Sequence, residues 1–450
     1  QIRLPRLHRQ LEQWAEEFGP FFKVKLGRHP TLVVSDHAVV AQLLRERPDG
    51  FKRSSRMEEI GAEMGLKPGV FGANGDDWKR QRRMVMSSFD PAHIRDYFPS
   101  LQVTADRLGR RWQRAAQDGR DIDVQPDLMR FTVDTIAGLA FGAEVNTLES
   151  EGDVIQQHLD KIFPALFKRL VSPLPMWRWF PSAADKRLVR SVAQVNEAVN
   201  GFVAQARARM QADPALRTRP RNLLEAMIAA ADEPGSGIGD EQVAGNVMTM
   251  LLAGEDTTAN SIAWTIELLW RNPDALARAT DEVRQLLGRP DVLPNFEQTD
   301  RLDYLEACAH ETMRLKPVAP MIGLQALHDT GIGEVHVPRG VVVLALMRRD
   351  SVSDRHLPDA VRFMPERWLD GTAVAGQPKR VSMPFGAGPR ICPGRYLALL
   401  EMKMAMAMLL NRFDVRSVET PDGRPADERM SFTMAPVGLR MRLDERRAAA

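Results

Sequence analysis

A cysteine lies in a loop rich in glycine and proline near the C-terminal end of the chain. The loop runs PFGAGPRICPG over residues 384–394 and places Cys392 just before apolar residues with helical spacing, from Leu397 to Met408. The unpaired N–H groups and the macrodipole at a helix N-terminus favour an anion, and they lower the pKa of a thiol. We therefore interpret Cys392 as a reactive thiolate rather than an inert buried thiol.

Arg390 lies two residues before this cysteine and has the fork of donors that binds a carboxylate bidentately. The glycines of the loop allow the backbone to approach a large, flat partner closely. A thiolate beside a carboxylate-binding arginine is the combination that a haem with its propionates would need. The alternative is a free cysteine packed beside a tight turn, and the ordered spacing of the loop argues against it.

The spacing of Phe385, Gly388, Arg390, Cys392 and Gly394 resembles the signature of the cytochrome P-450 family and matches it completely. The resemblance implies that Cys392 is the axial ligand of haem b (iron protoporphyrin IX), where a thiolate favours O–O cleavage. It further implies a haem-thiolate monooxygenase that inserts one oxygen atom from dioxygen into its substrate. Contacts with the haem are assigned by the same resemblance to Pro384, Phe385, Gly386, Arg390 and Gly394.

A second motif lies upstream of the cysteine loop. Glu311 and Arg314 stand at i and i+3 on one helix face, and Arg367 follows about 50 residues later in the sequence PERW. A Glu-x-x-Arg pair alone is most often a solvated ion pair. In this order and spacing the three residues resemble the family's structural network, which implies that they hold the loop that presents the cysteine.

The sequence AGEDTT at residues 253–258 interrupts a long apolar helical pattern. A threonine hydroxyl there can compete for a carbonyl one turn back and open the helix locally. The stretch resembles the family's oxygen-activation motif, which implies that Asp256 and Thr257 relay protons and that Ala253 contacts the haem. The alternative is a surface turn of an amphipathic helix.

Trp78 and Arg82 stand one helical turn apart in the sequence DWKRQRR. The family places a tryptophan and an arginine at this spacing against a haem propionate, and the resemblance gives both residues this role here. The alternative is a solvated basic helix start. Many family members carry a further propionate-binding arginine shortly after the Glu-x-x-Arg helix. Residues 316–326 contain none, which puts a haem contact from that segment in doubt.

A substrate pocket is expected on the side of the haem opposite the cysteine. Its positions are carried over from the family's substrate-contact segments, and all are apolar, which predicts a largely hydrophobic substrate. The predicted lining residues are Val70, Phe71, Leu252, Ala253, Val318, Ala319 and Phe432.

A mostly helical chain must position these residues. Helical spacing covers residues 6–18, 100–117, 125–140, 185–212, 240–270 and 275–288, whereas strand-like runs occur at 21–25, 31–35, 335–337, 341–346 and 438–443. We predict a mainly α fold with a minor β portion (α+β) and a single domain over residues 1–450. The resemblance implies a cytochrome P-450 fold, with the haem between a long central helix and the helix that follows the cysteine loop.

The composition restricts the class of protein. With 44% apolar residues, 27% charged residues and a net charge of +2, the chain is typical of a globular protein and gives no reason to expect nucleic acid as a partner. Its two cysteines cannot form a disulfide framework, so we expect a reducing, cytoplasmic location. Arginine outnumbers lysine by 50 to 11, which favours a bacterial source. Cys308 is interpreted as a small core residue.

Contact with a membrane stays open. The chain begins at Gln1 without a methionine, so the sequence leaves open whether an upstream segment, with or without a membrane anchor, precedes it. The aromatic sequence LPMWRWFP at 174–181, with Trp177 and Trp179, is either a lid at the substrate entrance, a patch that touches a membrane, or simple helix-to-helix packing.

Electrons are expected from a separate ferredoxin or flavin reductase, since the chain shows no flavin or iron–sulfur sequence of its own. The alternative is a fused reductase that lies outside these 450 residues. Basic residues near the cysteine face are a candidate docking patch for that donor: Lys79, Arg80, Arg83, Lys379, Arg380 and Arg395. Two alternatives to the monooxygenase remain: a peroxide-driven haem-thiolate peroxygenase and a non-catalytic haem-binding sensor. Asp256 and Thr257 argue against both, because neither needs a relay that protonates bound dioxygen.

Overall fold

The computed structural model describes residues 3–26, 29–89, 91–150, 155–369 and 378–446. Helices dominate these ranges and the strands are short, so the expected mainly α architecture with a minor β portion is confirmed. The helices, numbered α1 to α17 in chain order, are Leu7–Phe18, His37–Arg45, Ser55–Glu63, Gly75–Ser88, Pro91–Gln117, Val124–Thr135, Ile155–Leu159, Ile162–Val171, Met176–Trp179, Ala183–Ala212, Leu223–Ala231, Asp240–Trp270, Pro273–Leu287, Phe296–Thr299, Asp303–Leu315, Pro378–Val381 and Arg395–Arg412.

The strands form small sheets at the edges of the helical body. They are numbered β1 to β12 and are Phe21–Leu26, His29–Val34, Phe51–Lys52, Ile122–Asp123, Met321–Ala326, Thr330–Ile332, Val335–Val337, Val342–Leu346, Phe413–Glu419, Glu428–Met430, Met434–Pro436 and Arg440–Glu445. The largest sheet has the order β1-β2-β8-β5-β3, in which only β2 and β8 run parallel. Strand β12 pairs with β4 and β9, and β10 forms a hairpin with β11.

The sequence locates the long elements to within a few residues. The pattern at 240–270 is helix α12, and the pattern at 125–140 is α6 continued by a π-helical turn, Ile136–Ala140. Between the first two strands, Gly27 and Arg28 lie outside the described residues. The aromatic segment at 174–181 contains the short helix α9.

Helix α12 is buried on almost every side, as expected of a helix that is apolar around its circumference. Its first half, with Met248 and Leu252, belongs to a hydrophobic cluster shared with α10 and α11. Its second half, from Ala259 to Leu269, belongs to a second cluster shared with α5 and α17. The AGEDTT motif lies between the two clusters, where neither packs over it completely. Among the described residues, no helix has the length and apolar character needed to cross a membrane.

Candidate active site

The cysteine loop is held by its own backbone and by helix α2. A 3-10 turn, Gly388–Arg390, precedes Cys392, whose N–H donates to the carbonyl of Phe385 at 2.9 Å. Gly388 has φ +71°, and a Cβ there would stand 2.6 Å from the Cα of Arg45 at the end of α2. Only glycine fits this position, since the backbone of α2 cannot give way. Helix α17 begins at Arg395, as the sequence predicts.

The pKa of the Cys392 thiol is raised above its ordinary value, mainly by burial. The N–H of Gly394 and the positive charges of Arg82 and Arg395 act in the opposite direction but are weaker. The expectation of a lowered pKa is therefore wrong for this side chain by itself, because the cost of burying a thiolate exceeds the gain from the helix N-terminus. A coordinated metal cation would reverse the balance.

Cationic side chains gather beside the loop. Arg82 donates from Nη2 to the carbonyl of Ile391 at 2.8 Å. The guanidinium of Arg390 lies 4.8 Å from the centre of the buried Trp78 ring and donates to the carbonyl of Ala73. The structure thus brings together Trp78, Arg82 and Arg390, which the sequence assigned to the propionates.

Arg53 joins this group and was missed by the sequence analysis. Burial and the charges of Arg47 and Arg390 lower its pKa to about 9, and burial with Arg47 and Arg82 lowers the pKa of Arg390 to about 10. No short motif marks Arg53, since it follows β3 and reaches the site only through the fold.

The charges of this cluster fit a haem. Within the described ranges none of Arg53, Arg82 and Arg390 forms an ion pair with a carboxylate, and only the more distant Glu58 acts on Arg390. The Nε atom of Arg390 is buried without a hydrogen-bond partner. Such a group of like charges is unfavourable unless an anion neutralises it. Two propionates beside a thiol that can ligate iron would satisfy both requirements.

A buried ion-pair network joins helix α15 to the segment 364–368. Arg314 binds Glu311 bidentately, at 2.8 and 2.7 Å, and the Nε of Arg367 lies 3.4 Å from the same carboxylate. All three side chains are at most 1% exposed. Trp368 and the backbone N–H of Met364 also donate to Glu311, at 2.9 and 3.0 Å. The proposed partners are thus adjacent, and Trp368 is a further member that the sequence analysis did not name.

The AGEDTT motif keeps α12 continuous. The hydroxyl of Thr257 donates to the carbonyl of Ala253 at 2.6 Å, as expected, but the helix does not open there. Gly254 allows close packing, since a Cβ would lie 2.8 Å from the side chain of Ile136. The expected polar notch is therefore formed by side chains alone and not by an opening of the backbone. The Thr257 hydroxyl binds the Ala253 carbonyl while the backbone hydrogen bonds of the helix stay in place.

Asp256 and Thr257 bind different partners. The carboxylate of Asp256 accepts from Asn260 Nδ2 at 2.8 Å and from the hydroxyl of Thr433 beside β11. Burial raises the pKa of Asp256, although these two hydrogen bonds oppose the shift. The two members of the expected relay are neighbours on the helix, and the structure joins them by no direct hydrogen bond.

Two other carboxyl groups, which the sequence analysis left unassigned, meet beside this motif. Glu255, buried on α12, is in hydrogen-bonding contact with Asp160, which lies between α7 and α8. Burial raises the pKa of Asp160 to about 6, and burial together with Asp160 and Asp256 raises the pKa of Glu255 well above its ordinary value. Burial and the mutual repulsion of these carboxylates therefore both favour a protonated pair.

Aromatic rings gather at the expected substrate pocket. Phe432 has φ +95° at the turn of the β10–β11 hairpin, and its ring packs edge-on against Phe71 with centroids 6.2 Å apart. Phe163 of α8 stacks on Phe432 at 4.5 Å and was missed, because that region carries no motif. Val70, Phe163 and Phe432 pack against the cluster that contains Leu252.

The remaining pocket positions lie at the same hairpin or on α12. Val318 accepts a hydrogen bond from the N–H of Met434 at 2.8 Å, which ties its segment to the hairpin. Val318, Ala319 and Ala253 are half-buried. The positions carried over from the sequence thus come from separate elements, and Val70, Leu252 and Phe432 among them belong to one hydrophobic cluster.

The aromatic segment at 174–181 divides into two parts. Trp177 is half-buried, with its Nε1 donating to Glu63 at 3.0 Å and the guanidinium of Arg169 5.1 Å from its ring centre. Trp179 and Phe180 are 60% and 73% exposed. The two tryptophans that the sequence treats as one patch therefore face different surroundings.

Comparison with known proteins gives a consistent result. A profile described as cytochrome P450 matches residues 1–443. The chain is 28% identical to human steroid 17-alpha-hydroxylase/17,20 lyase, over 93% of this chain and 84% of that protein. It is 26% identical to a bifunctional cytochrome P450/NADPH–P450 reductase of Bacillus cereus, over 95% of this chain but only 39% of that protein. The crystal structure of the cytochrome P450DA heme domain aligns with a TM-score of 0.84 and 25% identity, over 99% of this chain and 94% of the other.

Proposed function

The chain belongs to the cytochrome P450 family, and from this premise we propose that Cys392 holds haem b while the enzyme oxygenates a largely hydrophobic substrate. Haem b with a thiolate ligand supplies dioxygen activation and the transfer of one oxygen atom. The observation that carries the proposal is the cluster of Arg53, Arg82 and Arg390, which lacks counter-anions and stands beside the cysteine loop.

The protein groups have separate tasks in this proposal. Arg53, Arg82 and Arg390 bind the propionates, and Trp78 supports Arg390 through its ring face. The Glu311 network fixes the backbone that presents the thiol, because it joins α15 to the segment 364–368, whose Trp368 lines the same cavity as the cysteine loop.

Asp256 and Thr257 are proposed to supply protons at the oxygen-binding side. Burial raises the pKa of Asp256, which makes it easier for this carboxyl group to take up a proton and pass it to a neighbouring acceptor. Because the two side chains share no direct hydrogen bond, their transfer requires a bridging water or substrate hydroxyl. The Thr257 hydroxyl, which follows Asp256 directly on α12, is held in place by its hydrogen bond to the Ala253 carbonyl.

The substrate is proposed to be hydrophobic and to contact an aromatic surface. The rings of Phe71, Phe163 and Phe432 form one contiguous cluster above α12. The strained φ of Phe432 is consistent with a side chain held in place for contact with a ligand.

Electrons are proposed to enter from a separate protein at the face behind the cysteine loop. A cavity of about 710 Å³ lies there, lined by the loop residues 383–387 and by basic side chains. The basic residues are Arg45, Lys379, Arg380 and Arg395. Lys79 and Arg80, also expected in the patch, already face acidic neighbours, Asp76 and Asp77. The positive lining favours an acidic donor, either a ferredoxin or a flavin reductase.

Spectroscopy tests the haem assignment. The purified protein should give the red-shifted Soret band of a thiolate-ligated, carbonyl-bound haem, and Cys392→Ser should lose it. Cys308→Ser, at the other cysteine, is the matched control and should keep it. An unchanged spectrum in Cys392→Ser would contradict the proposal.

A substrate screen and a comparison of oxidants test the reaction. Fatty acids, terpenoids, steroids and aromatic compounds should be screened for a shift of the haem spectrum, which reports entry into the pocket. Product formation with a reductase system and dioxygen supports the monooxygenase. Product formation with hydrogen peroxide alone would favour the peroxygenase instead.

A further inference from the structure

Two histidines and an aspartate meet on the face of the molecule that carries the cysteine loop. His37 is the first residue of α2, Asp350 lies in the 3-10 turn Arg349–Val352, and His356 lies in the turn that follows. One potential ligand atom from each lies within 4.8 Å of the others. The Oδ2 of Asp350 is 2.9 Å from His37 Nδ1 and 3.5 Å from His356 Nε2.

We propose that His37, Asp350 and His356 bind one divalent transition-metal ion of the Zn²⁺ type. Ligands about 2.0–2.1 Å from a tetrahedral ion stand about 3.3 Å from one another, and the two distances through Asp350 bracket this value. The third distance, between the ligand nitrogens of His37 and His356, must shorten to the same value. A rotation of the His356 side chain, which is 29% exposed, would bring its nitrogen closer. Two imidazoles and one carboxylate favour Zn²⁺ or a similar metal over Ca²⁺ and Mg²⁺, which prefer oxygen ligands.

The surroundings hold the carboxylate ready for an ion. Arg349 Nη1 donates to the other oxygen of Asp350, Oδ1, at 2.7 Å, and Arg349 is itself held by Glu16 at 2.8 Å. This arrangement turns Oδ2 towards the imidazoles, as the outer hydrogen bonds of metal sites do. Oδ2 also accepts the backbone N–H of His37 at 2.8 Å, which leaves it capacity for a further bond.

Both imidazoles of the cluster are open to solvent. The side chains of His37 and His356 are 24% and 29% exposed. An ion can therefore enter from solvent and keep water as its fourth ligand.

The site fastens a helix that supports the cysteine loop. His37 begins α2 and lines the cavity behind that loop, whereas Arg45 at the other end of α2 packs against Gly388. The two histidines are more than 300 residues apart in sequence, and their T-shaped contact has centroids 4.7 Å apart. A bound ion would join α2 to the segment 349–356 and would raise the thermal stability of the folded chain.

Cobalt titration of the haem-loaded, chelator-treated enzyme without a histidine tag tests the proposal. In this form the cysteine of the loop is occupied by haem iron. We expect the visible absorption of four-coordinate Co²⁺ to saturate at one ion per chain, displacement by Zn²⁺, and a rise in melting temperature with Zn²⁺. His37→Gln and His356→Gln should each weaken binding at least about 100-fold.

His336→Gln is the matched control, because His336 is exposed on β7. It should leave the cobalt signal and the Zn²⁺ stabilisation unchanged. The carbonyl spectrum and the melting temperature without metal confirm that each variant is folded. If His37→Gln does not fold, His356→Gln decides alone, since its side chain lies in a surface turn. Absence of a saturable signal, or its persistence in His356→Gln, would overturn the proposal.

Discussion

The side chains around Cys392 carry a charge imbalance that the polypeptide does not correct. Three guanidinium groups, of Arg53, Arg82 and Arg390, gather near a thiol whose burial raises its pKa. Both features are unfavourable in the chain alone, and both become favourable with a ligand that has two carboxylates and a thiolate-binding cation. At the scale of single residues, the site is organised around the group it binds.

We expect Arg53→Gln to weaken haem retention without unfolding the chain. The substitution removes one of the positive charges that face the propionates, so haem should transfer to an acceptor such as apomyoglobin about tenfold faster. Arg83→Gln, an exposed residue on α4, is the control and should transfer haem at the wild-type rate. Equal rates for the two variants would show that Arg53 does not bind the haem.

Thr257→Ala should uncouple reductant consumption from product. The hydroxyl that donates to Ala253 is lost, so we expect the yield of product per NADPH to fall about tenfold while haem content stays normal. Thr249→Ala removes the same kind of bond, to Gly245 at 2.8 Å, two turns earlier on α12. Full coupling in Thr257→Ala, or equal uncoupling in both variants, would contradict the relay.

Packed helices bring together buried ionisable side chains, each of which would destabilise the fold if it were buried without a partner. Helix α15 presents Glu311 and Arg314 on one face, and the turn Pro365–Trp368 supplies Arg367, so all three are buried in contact. Helix α12 similarly carries Glu255 to Asp160, where two carboxyl groups share a buried space. Both contacts exist only because these elements pack against one another. Their effects on the free energy of unfolding therefore depend on the packing of the elements and not on single residues alone.

Glu311→Gln should lower the free energy of unfolding by roughly 3–5 kcal/mol, because it leaves two buried guanidinium groups without a full counter-charge. Denaturant unfolding measures the loss. Glu366→Gln, in the neighbouring segment, is the control. Its side chain is 41% exposed and pairs with Arg278, so we expect a change of at most about 1 kcal/mol. If Glu311→Gln lowered the free energy of unfolding by no more than the Glu366→Gln control does, the network would have no structural role.

The carboxyl pair predicts a pH dependence of stability. The folded pKa values of Asp160 (about 6) and Glu255 lie above those of unfolded carboxyls. Their contribution to stability is therefore fully present below about pH 4 and is lost as the pH rises through the folded pKa values.

Glu255→Gln tests this dependence by chemical denaturation between pH 4 and 7.5. The variant keeps the hydrogen-bonding shape without the ionisable group, so it should be more stable than the wild type near pH 7 by about 1–3 kcal/mol and converge with it near pH 4. Glu241→Gln, exposed on the first turn of α12, should track the wild type. Parallel curves for Glu255→Gln and the wild type would exclude a shared proton.

At the scale of the whole molecule, the aromatic cluster and the cavity at the cysteine loop are lined by different residues. Aromatic side chains from α8, the β10–β11 hairpin and the loop before α4 meet in the cluster, where a hydrophobic substrate is proposed to bind. The cavity of about 710 Å³ has a basic lining, where the electron donor is proposed to dock.

Lys379→Glu with Arg380→Glu should slow reduction by an acidic ferredoxin about tenfold at low ionic strength. The reversal of two exposed charges on α16 removes the attraction that guides the donor, and the difference should shrink as salt screens it. Stopped-flow reduction under carbon monoxide measures the rate. Lys186→Glu with Arg187→Glu, on α10, is the control, and an equal effect there would exclude a docking surface on α16.

The sequence alone determines much of this protein, because its signals are local. The periodicity of α12 and the spacing of the residues around Cys392 depend on contacts within one element, so they are readable without the fold. Glu311 and Arg314 share one helix face, but Arg367 lies on another element and was joined to them only by the resemblance of their order and spacing to the family's network.

Only the tertiary structure places Arg53 beside Arg390, Asp160 beside Glu255, Phe163 on Phe432 and His37 beside His356. Each pair joins residues from separate elements, and no spacing in the sequence encodes the packing that brings them together. The pKa of Cys392 is decided there too, since burial is a property of the whole fold and outweighs the local effect of the helix N-terminus.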